Sequence, residues 1–392
     1  MNTEANLTAA RRGRWAVAAL FFTNGFLVGG WALQIPVFLT RLQITEFTLG
    51  LLILGFGIGA LIAMPWCGWL IHRYGSRSAV RGFASVCAFG LLGVALVPNV
   101  WSAAVMLLLF GGLIGGMDVA MNTNAVAVER RLKRAIMSSS HGFWSLGGFA
   151  GGAAGSVVIQ YFGHLNHALF ATLIAVVLVA LASRHLINEE KPVTDTPTKF
   201  GFPRIAAIYL TGIVALFSMV PEGAVLDWAA IYLRQEFGSE IGVAGLAFAA
   251  FSATMAIMRF AGDRVRARFG AVMTLRVSSL VAAAGMLVAG IAPNDWIAIA
   301  AFAFCGFGIA NMVPIAFSAA GNHREDLSGA GLSTVTAMGY SGILVAPSII
   351  GFVGERTGFA PIYVALAVIL VIVALMAGVA RAADFESAQP AE

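Results

Sequence analysis

The stretch Asn188-Glu189-Glu190-Lys191-Pro192-Val193-Thr194-Asp195-Thr196-Pro197-Thr198-Lys199-Phe200-Gly201-Phe202-Pro203 decides the fold, because it is the only long polar break in the chain. Its charges and three prolines suit a solvated connection and oppose a continuous helix. On either side the chain is apolar. Its 392 residues are 59% hydrophobic and 11% charged, where a soluble domain is roughly a quarter charged. Runs of the ~20 apolar residues needed to cross a bilayer recur between short polar breaks. Six lie before the stretch, near 15–40, 48–71, 79–98, 101–128, 138–162 and 165–187. Six follow it, near 204–233, 242–263, 271–292, 295–321, 327–354 and 359–381. The expected fold class is all-α: a polytopic membrane protein with two bundles of transmembrane helices, residues 1–187 and 204–392, joined by a cytoplasmic linker at 188–203.

With both termini in the cytoplasm, 21 of the 24 Lys and Arg fall on the cytoplasmic side, leaving Arg41, Arg234 and Arg356 outside. The positive-inside rule selects that orientation. The formal charge of +5 is then a loop bias and implies no nucleic-acid partner. Arg11, Arg12 and Arg14 precede an apolar run that is too long for a signal peptide and lacks a small-residue cleavage site, so it reads as the first span.

Enzymatic motifs are missing from the sequence. Cys67, Cys87 and Cys305 all sit inside apolar runs, without disulfide or zinc spacing. None of the three lysines, Lys133, Lys191 and Lys199, completes a phosphate-binding loop. His164 and His167 flank an outer loop without further metal ligands. No enzyme activity, metal or cofactor is expected.

The halves echo each other at an offset of about 195 residues. Arg73-Tyr74-Gly75 followed by Arg81 is matched by Arg268-Phe269-Gly270 followed by Arg276, and Gly111 by Gly306. Asn24-Gly25 with Trp31 is matched, one residue shorter, by Glu222-Gly223 with Trp228.

Two six-span halves with basic, glycine-containing loops after spans 2 and 8 resemble the major facilitator superfamily. The loop Gly68-Trp69-Leu70-Ile71-His72-Arg73-Tyr74-Gly75-Ser76-Arg77 is similar to that family's G-x-L-[AS]-D-R-x-G-R motif, with His72 where the family usually has Asp. Gly262-Asp263-Arg264 supplies the acid beside the arginine in the second half. The resemblance implies that these residues lock span ends together on the cytoplasmic side. Spans 4 and 10, Gly111-Gly112-Leu113-Ile114-Gly115-Gly116-Met117-Asp118 and Gly306-Phe307-Gly308-Ile309-Ala310-Asn311-Met312-Val313-Pro314, resemble the fucose-permease-like branch. Fucose permease also has an acid in its first span, and this chain has none between Ala5 and Thr45. Uncharacterised bacterial inner-membrane permeases of the same branch are more similar. The resemblance implies a monomeric carrier in the bacterial inner membrane, working by alternating access.

The informative residues inside the spans are Asp118, Glu222 and Asp227. Each ionised acid at the bilayer centre costs roughly 2.5 to 3.5 kcal/mol on the insertion scale, so three must be neutral, paired or facing water. No Lys or Arg is expected at comparable depth. A carboxyl group that water reaches alternately from either side can alternate between neutral and charged, as a proton carrier must. Asp118 leads, with Asn122 one turn on and Glu129 further along the same face; an Asp bonding two helices together is the plainer alternative. Pro221-Glu222-Gly223 predicts a local helix break. Were the helix unbroken instead, Glu222 and Asp227 would point about 140° apart and would not act as one carboxylate pair.

Trp31, Trp144 and Trp228 lie within spans and suit the apolar faces of a solute, with plain packing as the alternative. Asn24, Gln34, Asn122 and Asn311 offer paired donors and acceptors to hydroxyls, or bond helices together. Trp15, Trp101 and Trp296 fall at span ends as belt anchors. His141 opens span 5, as a gate or a plain helix-start residue. The expected activity is proton-driven symport of a small polar organic solute such as a sugar or sugar derivative; sodium in place of the proton stays open. The competing reading is a proton-driven antiporter that exports drugs or cationic metabolites. Span 5 lacks the proline of the family's antiporter motif between Ser138 and Gly163, which counts against export.

Overall fold

A computed structural model describes residues 2–132, 136–188, 205–322 and 328–383. The linker expected at 188–203 lies, past Asn188, outside the described residues. The first half comprises α1 (Asn2–Leu42), α2 (Glu46–Tyr74), α3 (Ser76–Cys87), α4 (Gly90–Leu96), α5 (Val100–Leu132) and α6 (Met137–Ser183). The second comprises α7 (Ala206–Phe237), α8 (Ile241–Phe269), α9 (Ala271–Gly290), α10 (Asp295–Ile309), α11 (Met312–Asn322), α12 (Ser328–Thr357) and α13 (Ala360–Met376), followed by a 3-10 turn at Ala377–Ala383.

Among the described residues, 11 helical stretches are long and apolar enough to cross a membrane. One of these, Ser139–Ser183, has 45 residues, about 68 Å of helix against a hydrocarbon core of ~30 Å. It makes two passes. The chain turns at Gly163, whose φ of 81° and ψ of 173° glycine alone adopts freely. A Cβ on Gly155 would stand 2.6 Å from His167 Nε2, although a straight helix would separate those residues by about 18 Å. Twelve crossings result.

Two of these crossings are each made of two helices. The third is α3 with α4, interrupted at Ala88 and Phe89, and the tenth is α10 with α11, interrupted at Ala310 and Asn311. Pro314 explains the latter, since it has no N–H for the Ala310 carbonyl and its ring crowds that oxygen. At Pro221 the expectation fails. The break predicted at Pro221-Glu222-Gly223 is absent, and α7 continues through it. The proline removes only the bond to the Phe217 carbonyl, and α8, α12 and α13 pack along the helix and hold it.

The repeat seen in the sequence is present in three dimensions. Gly75 caps α2 at φ 81° and ψ 157°, and Gly270 caps α8 at φ 76° and ψ 163°. A Cβ on Gly111 would overlap the Phe56 carbonyl oxygen, and one on Gly306 would overlap that of Phe251. Both partners obey the same offset. α2 packs on α5 as α8 packs on α10, and α1 on α6 as α7 on α12. Between the halves α6 meets α8 and α2 meets α12. Those two contacts exchange when the halves are swapped, as pseudo-two-fold symmetry requires.

Candidate functional site

Asp118 on α5 and Glu222 on α7 come from opposite halves, and the Tyr340 phenol on α12 lies in the field of both carboxylates. All three residues are partly exposed, and the two acids sit near the middle of long apolar helices. Facing lipid would cost each acid several kcal/mol. They therefore line a crevice between the halves.

Arg259 is the residue that sequence reasoning missed. It stands about 15 Å of helix inside the Phe269 end of α8. Two expectations are corrected by it: it is no cytoplasmic-end cation, and Glu222 does not lack a counter-cation. Its Nη2 lies 3.4 Å from Glu222 Oε1. Nη1 donates to Ser145 Oγ at 2.7 Å, and the guanidinium lies over the Trp144 ring at 5.8 Å. The sequence carries only a weak signal for it: Arg259 falls within the apolar run near 242–263, a full turn before Asp263.

This cluster reaches into the first half through hydrogen bonds. Trp144 Nε1 donates to Asn24 Oδ1 at 2.9 Å, and Asn24 Nδ2 donates to the Ile114 carbonyl at 3.3 Å. Ser252 Oγ donates to the Ser145 carbonyl at 3.0 Å. Asn24 and Glu222, matched in the internal repeat, thus meet on either side of the Trp144–Arg259 stack. His141 lies within the field of Arg259 and packs edge-on against Phe21 at 5.0 Å.

Asp118 has a different environment. Its Oδ1 accepts the Asn122 amide at 3.2 Å, and the same amide donates to the Asp118 carbonyl at 2.8 Å. Among the described residues no Lys or Arg comes within ion-pair distance of it. The Glu129 side chain, which would extend its polar face, lies outside the described residues.

The remaining candidates are placed away from this cluster. Asp227 is buried in the second bundle, where the Tyr363 phenol of α13 lies in its field. Trp228 stacks on Phe359 at 5.2 Å and is fully buried. Trp31 packs edge-on against Phe38 at 5.7 Å. Gln34 Nε2 donates to the His164 carbonyl at 2.8 Å and lies 2.9 Å from His167 Nδ1. Asn311 sits at the α10–α11 interruption, against Gly262, where a Cβ would overlap its Oδ1.

In the loop after span 2, Gly68 faces open space and Arg73 covers the Trp69 and Tyr74 rings at 5.7 and 5.5 Å. Arg77 is half-buried and Arg264 exposed. The side chains of His72 and Asp263 lie outside the described residues. Among the described residues no ion pair joins the span ends here.

The opposite end is closed. Gln160 Nε2 donates to Glu240 Oε2 at 2.9 Å, the Phe47 N–H donates to Glu355 Oε2 at 3.2 Å, and the Phe47 and Phe352 rings lie 5.7 Å apart. Each of these contacts joins the two halves.

Comparison with known proteins matches this geometry. The sequence model of the Major Facilitator Superfamily matches residues 15–221 and again 211–390. An uncharacterised MFS-type transporter of Yersinia pestis is 33% identical over 358 residues, covering 91% of this chain and 93% of that protein. Among solved structures, a mutant of the nucleoside transporter NupG superposes with a TM-score of 0.75 at 12% identity, covering 94% of this chain and 99% of its own. A variant of the E. coli fucose:proton symporter FucP superposes at 0.62 and 17% identity, covering 93% and 97%. At those identities the structures speak for the fold. Family match and close relative together establish that this chain is a transporter, not an enzyme, and that it belongs to the Major Facilitator Superfamily.

Proposed function

We propose that the chain is a proton-coupled symporter of a small polar organic solute and works by alternating access, with Asp118 as the carrier of the coupling proton. One observation carries this reading: Asp118 borders the crevice between the halves with an amide for company and no cation within ion-pair distance among the described residues. Such a carboxyl group can gain and lose a proton as water reaches it alternately from either side. Glu222 is instead engaged with Arg259 and is assigned no coupling proton. Asn122 and Trp144 are partly exposed beside these residues and are assigned to the solute, whereas the burial of Asn24, Asp227 and Trp228 favours a packing role, with Asn24 holding the Trp144 indole in place.

With both termini cytoplasmic, the closed end is the outer one and the crevice belongs to an inward-facing state. The setting proposed is a bacterial inner membrane, with the single chain sufficient as a monomer and no cofactor beyond the proton gradient. Export of organic cations is disfavoured because Arg259 adds a positive charge to the crevice.

The test is proton flux into proteoliposomes holding the purified protein and a trapped pH dye. Pooled sugars and sugar derivatives are offered first, pooled organic cations separately, and Asp118→Asn serves as the control. Proton entry with the first pool, absent in the variant, is expected. Proton movement against an organic cation would replace the symport reading with export, and flux that follows sodium alone would remove the proton.

A further inference from the structure

Symport driven through Asp118 leaves Arg259 without a task, and an intramembrane arginine is costly to keep. Its present partners hold it incompletely. Charge-assisted N–H···O contacts run at about 2.7–2.9 Å, and the bond to Ser145 Oγ meets that at 2.7 Å. The contact with Glu222 is a single prong at 3.4 Å, with the two side chains 14% and 20% exposed. The guanidinium has five donors in a planar fork, and its carbon lies 5.8 Å from the centre of the Trp144 ring.

We propose that Arg259 receives a carboxylate of the solute, so that the transported molecule is a hydroxylated monoanion of the sugar-acid or hydroxy-acid class. The proposal rests on reading the crevice as the solute site. A carboxylate matches the guanidinium fork in two parallel bonds, which Glu222 does not make here. A solute carboxylate and Glu222 therefore compete for the same guanidinium, and binding of the one displaces the other. Glu222 is faced by Arg259 from α8 and lies in electrostatic contact with Cys305 of α10 and Tyr340 of α12, neither of which offers a positive charge in its place. A neutral sugar would leave the fork unused, and an amine would meet repulsion from it.

The test uses the purified full chain in detergent, followed by tryptophan fluorescence and thermal melting. Gluconate, glucuronate and lactate are titrated beside glucose, glycerol and glucosamine. The acids are expected to bind, with affinity at least tenfold weaker in Arg259→Gln and intermediate in Arg259→Lys. Glu222→Gln, which removes the competitor, is expected to bind the acids several-fold more tightly, a direction that simple damage would not produce. Should Arg259→Gln fail to fold, the Glu222→Gln result decides. The proposal is overturned if no acid binds, if glucose or glucosamine binds as tightly as the acids, or if Arg259→Gln keeps full affinity. Because no gradient is present, acid binding without proton flux in vesicles would remove the symport reading alone, and proton flux with a neutral solute would remove this proposal alone.

Discussion

Arg259 and Glu222 show how far single residues can be read from their type and depth. The acids were legible because an Asp or Glu within an apolar run stands out at any position. Arg259 was not, since an arginine within two or three turns of a helix end is ordinarily able to snorkel to the interface. Its partners Ser145 and Trp144 come from the other half, and no local pattern in the sequence pairs them with it. The pair makes a stability prediction. Removing one member of a buried pair strands the other, at a cost of up to about 3–5 kcal/mol when fully buried. Partial exposure reduces this, so Arg259→Ala is expected to cost about 1–3 kcal/mol. The double variant Arg259→Ala/Glu222→Ala should recover part of that loss. Thermal melting in detergent measures both, and strictly additive losses would show that the two side chains do not interact.

At the scale of the helices, prolines were the most deceptive signal. Pro221 suggested a broken span and left α7 continuous, whereas Pro314 interrupts the tenth crossing one turn upstream. Chemistry at the two prolines is the same; what differs is the packing around the helix, which the sequence does not display. Glycines were the more faithful guide. Gly111 and Gly306 sit where helix meets helix too closely for a side chain, so Gly111→Ala and Gly306→Ala should each lower the melting temperature by several degrees. Gly55→Ala on α2 faces open space, so it should be neutral or stabilise by up to ~1 kcal/mol through helix propensity. A stabilising Gly111→Ala would contradict the close approach of α2 and α5.

For the whole molecule, the two bundles and the repeat were legible because lipid permits few backbone solutions and duplication leaves its spacing behind. The pairing of α6 with α8 and of α2 with α12 was not, since contacts between separate bundles carry no periodic signature. Closure at one end has a consequence for transport. Cysteines at Gln160 and Glu240, whose side chains bond across the halves, should react with a short bifunctional thiol reagent and stop transport. The native Cys67, Cys87 and Cys305 are buried and should contribute little background. A carrier that is fully active when cross-linked would not need these halves to part. In the proposed mechanism, alternating access and coupling come together in a single requirement, that the empty and loaded states differ by a proton on Asp118.

The most direct measurement of that requirement is solute accumulation in proteoliposomes under an imposed pH gradient, for wild type and Asp118→Asn, with gradient-free solute exchange measured on the same vesicles. Wild type is expected to concentrate solute inside. The variant should retain exchange yet lose at least nine-tenths of the gradient-driven accumulation. Full accumulation by Asp118→Asn would contradict the account.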